Sequence, residues 1–260
     1  MSDEVTFHVA ARVATITLDR PEARNALTKG VLVSLAAAFD RAAAATDVRV
    51  VVLGGAGGHF CAGADLRRTF AEEPDLMNKL DEYLDLYHAV IRAIVRCPKP
   101  TIARLDGCAV GFGADLALAC DLRVATDEAY VQEKFVRIGL MPDGGGTFWL
   151  PRLVGTARAL KALYLAEKLE AKTLDELGLL ASVGPRATLA ERTAALATEL
   201  AAGPPMAYAR LKAAVYASLG DLEAALARER AGQLELLRSE DCLEGIAAWA
   251  QKREPDFKGR

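Results

Sequence analysis

Apolar and polar residues alternate over residues 5–9 and again over 13–18, the period-two pattern of two paired strands. Residues 29–45 change to helical spacing, and the unbroken apolar run 48–54 reads as a buried strand, so the chain opens ββαβ. Leu76, Leu80, Leu84, Tyr87, Ile91 and Ile94 recur every three or four residues and predict an amphipathic helix over 76–96, which Pro98 and Pro100 stop before a strand at 101–105. A third unit follows: a short apolar helix near 114–119, a strand at 122–125 and a glycine turn at 144–146. From about Ala187 the pattern becomes purely helical, with segments 189–201, 205–219, 221–238 and 242–253 rich in Ala, Leu, Glu and Arg. The chain is therefore divided into an α/β core, residues 1–187, and a helical C-terminal region, residues 188–260. Stripes of Ala213, Ala214, Ala217 and of Ala224, Ala225 suit close helix packing, within a subunit or between subunits.

Composition narrows the function classes. With 260 residues, 52% of them hydrophobic and 26% charged, the chain is long enough for one large globular domain with an appendage. The 32 Lys and Arg against 35 Asp and Glu give a net charge of −3, which argues against an extended nucleic-acid footprint or a polybasic membrane anchor. The N-terminus opens with acids and no apolar run reaches the ~18 residues of a membrane span, so a cytoplasmic location without membrane attachment is expected. Cys61, Cys97, Cys108, Cys120 and Cys242 form no CxxC pair and read as buried, reduced thiols. His8, His59 and His88 show no metal-binding spacing and no carboxylate cluster replaces it, so no metal is expected.

Two glycine-rich segments carry the chemistry. In GGAGGHFCAGADL, residues 54–66, an apolar strand runs into a small-residue turn that can face its N–H groups outward. It lacks the lysine and the spacing of a phosphate loop, and a purely structural turn also fits it. In LDGCAVGFGADLALACDL, residues 105–122, a strand ends in a Gly-x-Gly bend that opens into a helix, whose N-terminus offers free donors. Two donors about 3 Å from an oxygen that gains negative charge contribute several kcal/mol to a transition state.

The run FCAGADL, then GCAVGFGADLALACDLRVA, then GLMPDGGGTFWLPRLVG resembles the enoyl-CoA hydratase/isomerase, or crotonase-like, superfamily in order and spacing over nearly the whole chain. The resemblance implies an α/β spiral of ββα units with a helical C-terminal region that builds homotrimers, or hexamers as dimers of trimers. It implies an acyl-CoA substrate, with coenzyme A part of that substrate and no other cofactor. It places an oxyanion hole on the N–H groups of Ala64 and Phe112, with Gly111 allowing the bend, and the adenine against the backbone of Ala62, Gly63, Ala64 and Asp65, before Leu66. Arg24 and Arg67 then lie near the CoA phosphates, which forked, permanently charged guanidinium groups suit. Trp249 and Lys252 fall in the family's CoA-reaching closing segment.

The chain departs from the hydratase pattern of two glutamates around one water. Asp115 stands at the first place and Phe135 at the second; the aspartate is one methylene shorter, about 1.5 Å, and the phenylalanine moves no proton. Glu133 and Lys134 are neighbours of the second place but do not simply replace Phe135. Asp143, before three glycines, occupies a place where isomerase- and dehalogenase-type members carry a working carboxylate. Set in an apolar pocket beside Phe112 and Phe135, it would have its pKa raised and become the base. An Asp that merely begins a turn is the alternative, and Asp115 serves a helix dipole as well as it serves chemistry. The expected reaction is enoyl-CoA double-bond isomerisation. Hydration or dehydration of an unusual enoyl-CoA is the second reading; hydrolysis or dehalogenation, or a binder without chemistry, are further ones. Phe135 points to an apolar or aromatic acyl tail.

Overall fold

The computed structural model describes residues 4–258. The N-terminal hairpin β1 (Val5–Ala10) and β2 (Val13–Leu18) is antiparallel, turning through Ala11 and Arg12, both at positive φ. Helix α1 (Lys29–Ala44) begins at Thr28, whose hydroxyl accepts the Val31 N–H at 3.3 Å, and leads to β3 (Val50–Gly55). Helices α2 (Leu66–Glu72) and α3 (Leu80–Arg96) precede β4 (Thr101–Leu105), and β5 (Cys108–Val110) and α4 (Phe112–Ala119) precede β6 (Leu122–Thr126). Then come β7 (Tyr130–Gln132), α5 (Gly146–Val154), α6 (Thr156–Leu165), β8 (Leu169–Glu170), α7 (Ala171–Glu176) and β9 (Ser182–Gly184). Helices α8 (Leu189–Ala202), α9 (Pro205–Ser218), α10 (Leu222–Leu236) and α11 (Glu240–Gln251) complete the described chain.

The strands form two sheets in chain order, β1-β2-β3-β4-β6-β9 and β5-β7-β8. Beyond the first hairpin the larger sheet is parallel, as crossover helices require. Its central strand β3 is buried on both faces, which is why its sequence is continuously apolar. Val51 and Leu53 point into the core shared with α1 and α3, while Val50 and Val52 meet Leu189, Ala197 and Ala201 of α8. The helix that follows the change of composition near Ala187 thus covers the second face of the sheet. The successive ββα turns are the crotonase-like spiral, and the five cysteines are free and buried.

Where the structure departs from the sequence reading, the cause is local. The helix expected from residue 76 begins at Leu80; Leu76–Asn78 is a separate 3-10 turn that still buries Leu76, so the apolar spacing runs through the break. Helix α4 starts at Phe112, two residues earlier than the expected 114, because Gly111 takes φ 55° and turns the chain directly into the helix. Helix α2 buries no residue and so shows no stripe, and β5, β7, β8 and β9 are too short for a period to register.

Candidate active site

Two loops meet where β3 and β5 end. Parallel hydrogen bonds from Cys61 N to Cys108 O and from Val110 N to Cys61 O, both 2.9 Å, tie the segment after β3 to β5. Gly63 lies at φ 87°, and a methyl group there would stand 2.7 Å from Val110 O and 3.4 Å from Phe112 N. Side-chain-free backbone is therefore what lets the loops approach. Four of the surrounding amides are engaged: Ala62 N on Arg24 O, Gly63 N on Cys61 Sγ, Asp65 N on Leu27 O and Gly111 N on Gln132 O. Among the described residues the N–H groups of Ala64 and Phe112 form no hydrogen bond. Two unused donors side by side, one of them at the N-terminus of α4, can hold an oxygen that gains negative charge.

Beside them lie four buried acids. Asp143 is 7% exposed. Its Oδ2 accepts from Gln233 Nε2 at 2.9 Å, and its Oδ1 has no partner among the described residues. Burial raises its pKa from 3.8 to about 7, against the lowering effect of the Gln233 bond. The turn that carries it is pinned by Glu229 of α10, whose carboxylate accepts from Gly145 N at 2.7 Å, Thr147 N at 2.9 Å and Thr147 Oγ1 at 2.5 Å. Buried Tyr87 of α3 sets its ring 4.6 Å from that of Phe112, and its phenol is held above its ordinary pKa by burial and by Asp143. His88, also buried, lies against the Asp143 backbone and is kept neutral, its pKa lowered to about 4 by burial and by Arg230 and Arg92.

Asp115 and Glu133 form the floor. A methyl group on Gly146 would stand 2.9 Å from Asp115 Oδ1 and 3.0 Å from Glu133 Oε1, so the two carboxyl groups converge on one point. None of their four oxygens accepts from a donor among the described residues. Burial raises both pKa values well above the ordinary range, Glu133 adds to the effect on Asp115, and Glu229 and Asp143 add to both. Two such groups titrate together, and burial with their mutual repulsion shifts both towards the protonated form.

The structure brings Ala64, Gly63, Gly111, Phe112, Asp115 and Asp143 together around the two glycine bends. Phe135, half-buried in the 3-10 turn Phe135–Ile138, lies over Gly111, with ring carbons 3.9 Å from the position of a methyl group there. Arg24 and Arg67 are exposed and form no ion pair among the described residues. Besides the Ala64 N–H, the carbonyls of Ala62 and Ala64 in that loop accept no backbone hydrogen bond among the described residues. The Asp65 carboxylate accepts from Arg20 Nη2 at 2.9 Å and caps α2 through Arg68 N at 3.0 Å, before half-buried Leu66. Trp249 and Lys252 are exposed at the end of α11, which packs on the Phe135–Ile138 turn; no hydrogen bond joins them to the loop at 62–67 among the described residues.

Sequence reasoning missed His88 as a site residue, the inward role of Glu133, and both Glu229 and Gln233. Glu133 is in phase with buried Ala129 and Val131, so the alternation through β7 carried its signal. Glu229 and Gln233 follow buried Ala225 at four-residue steps on the inner face of α10. Among the described residues there is no group of side chains that could hold a metal, and no helix is long and apolar enough to cross a membrane.

Residues 8–260 match the family described as enoyl-CoA hydratase/isomerase, and the chain belongs to that family. It is 42% identical over 257 residues to a probable enoyl-CoA hydratase of Rhodobacter capsulatus, covering 98% of both chains. It is 35% identical over 265 residues to the 1,2-epoxyphenylacetyl-CoA isomerase of Escherichia coli, covering 100% of both. An enoyl-CoA hydratase from Mycobacterium avium subsp. paratuberculosis has the same fold, with a TM-score of 0.89, 35% identity and 98% coverage of both chains.

Proposed function

We propose that this protein isomerises the double bond of an enoyl-CoA, with Asp143 as the base. Ionised Asp143 takes a proton from the carbon between the double bond and the thioester carbonyl. The electron pair of that C–H bond moves into the conjugated enolate, whose oxygen is held by the N–H groups of Ala64 and Phe112. Protonated Asp143 then returns the proton to the far end of the allylic system, leaving the mass unchanged. The observation that carries this reading is Asp143 itself: buried, with one oxygen fixed, the other without a partner, and a pKa near the operating pH. The similarity to a named CoA-thioester isomerase supports it.

The second reading, hydration, is favoured by the Asp115–Glu133 pair and by the similarity to a probable hydratase. It is weaker because Phe135, at the place of the second acid, moves no proton, and burial works against the ionised form of the pair. Arg24 and Arg67, exposed and without ion pairs, suit the CoA phosphates, and the outward Met206, Leu211 and Val215 of α9 suit contact with further copies in a trimer or hexamer. To test the base, kcat and the affinity for a saturated acyl-CoA are compared in wild type and Asp143→Asn. Turnover should fall by roughly 10²–10⁴-fold with binding kept. Retained turnover would exclude Asp143 as the base.

A further inference from the structure

Gln233 reaches Asp143 from α10, 90 residues further along the chain, and only 2% of it is exposed. Both ends of its amide are engaged. Oε1 accepts the Met141 N–H at 3.1 Å, and Nε2 donates to Asp143 Oδ2 at 2.9 Å. A backbone N–H can only donate, so the Met141 contact fixes which end of the amide is oxygen. The end facing Asp143 is therefore a donor, whether or not Asp143 carries a proton. With Oδ2 committed to that donor, a proton taken up by Asp143 goes to Oδ1, the oxygen without a partner.

We propose that Gln233 is a positioning residue for proton transfer: it turns the Asp143 carboxyl group so that Oδ1 alone exchanges the proton with substrate. This rests on the reading of Asp143 as the base. The second contribution of Gln233 is electrostatic, because a donated N–H favours the ionised carboxylate and offsets part of the effect of burial. Glu229, one turn earlier on α10, grips the backbone of the same turn through Gly145 and Thr147, so one helix holds both the turn and the carboxyl group it carries. The other titratable groups facing Asp143 are Tyr87 and His88 from α3, Asp115 from α4, and Glu133 at the end of β7.

Two substitutions separate orientation from mere packing. Gln233→Met keeps the length and removes the donor. Gln233→Glu keeps an acceptor for the Met141 N–H and replaces only the donor facing Asp143. The Asp143 titration is read by NMR on protein labelled with carbon-13 at the aspartate carboxyl groups, its resonance identified by its loss in Asp143→Asn. In parallel, the pH profile of kcat/KM is measured on a trans-3-enoyl-CoA. In Gln233→Met both the titration and the acid limb should move up by roughly one pH unit, kcat should fall about tenfold or more, and KM should stay within about twofold. Gln233→Glu, with two acids sharing a proton, should move both further while the chain stays folded. Titration and acid limb left at their wild-type positions in both variants would overturn the proposal, as would a loss seen only in thermal stability. Wild-type turnover by Asp143→Asn would instead overturn the base itself, whatever the Gln233 variants show, and Gln233 would then have no proton transfer to position.

Discussion

At the scale of single residues, the proposed chemistry rests on what sets Asp143 apart from the pair beneath it. All three acids are buried and all three pKa values are raised; Asp143 differs in that one oxygen accepts from the Gln233 amide, which offsets part of the effect of burial. A carboxyl group with a pKa of about 7 both takes and returns a proton at neutral pH. Because ionised Asp143 is the working form, kcat/KM should rise with pH through a limb near 7. A profile measured on a trans-3-enoyl-CoA checks this, and a flat profile from about pH 5 to pH 8 would contradict it. Phe135, lying over Gly111, presents an apolar ring to that side of the bend.

At the scale of elements, the proposed catalysis depends on two bends that present unused backbone donors. Gly111 joins β5 to α4 at φ 55° and ψ −128°, a conformation in which a Cβ is strained. Gly111→Ala should turn the Phe112 N–H away from its direction and lower kcat by roughly 10²–10³-fold. Circular dichroism should show α4 and the rest of the helices retained, so that loss of fold and loss of the donor are told apart. These bends were legible in the sequence, since strand, glycine and helix follow one another in both segments. So were the paired strands, helix α1 and the four C-terminal helices to within a few residues. What was not legible has a physical reason. Glu133, Glu229 and Gln233 are polar residue types that usually face water, and only their phase with Ala129, Val131 and Ala225 reveals that they face inward. The short strands of the second sheet are fixed by contacts with distant segments, such as Val110 with Gln132 and Val131 with Leu169, and not by any pattern of their own.

At the scale of the whole molecule, the site is assembled from segments far apart in the chain: the loop after β3, the start of α4, the end of β7, the turn before α5, and α10. Burying acids there costs stability in a way that pH reveals. Asp143 has a folded pKa of about 7, above its ordinary 3.8, so as pH rises the unfolded chain loses this proton first and the folded state is penalised. The penalty is absent below about pH 4 and complete above about pH 7, and amounts to roughly 4 kcal/mol. His88, held neutral with a pKa lowered to about 4, acts with the opposite sign, gaining stability as pH rises from there to its ordinary 6.5. It is present in both proteins, so the informative quantity is the difference in urea unfolding free energy between Asp143→Asn and wild type. That difference should grow in favour of the variant from about pH 4 to pH 7, and parallel curves would refute the buried, proton-holding state of Asp143. The central claim, isomerisation by Asp143, is tested most directly by product analysis. Wild type, Asp143→Asn and Asp115→Asn are each incubated with trans-2- and trans-3-enoyl-CoA of several chain lengths, and products are followed by mass and by the absorbance of the conjugated thioester. Interconversion of the double-bond isomers without a change of mass, abolished by Asp143→Asn and kept by Asp115→Asn, is the expected result. Addition of one water to the substrate, abolished by Asp115→Asn, would contradict it.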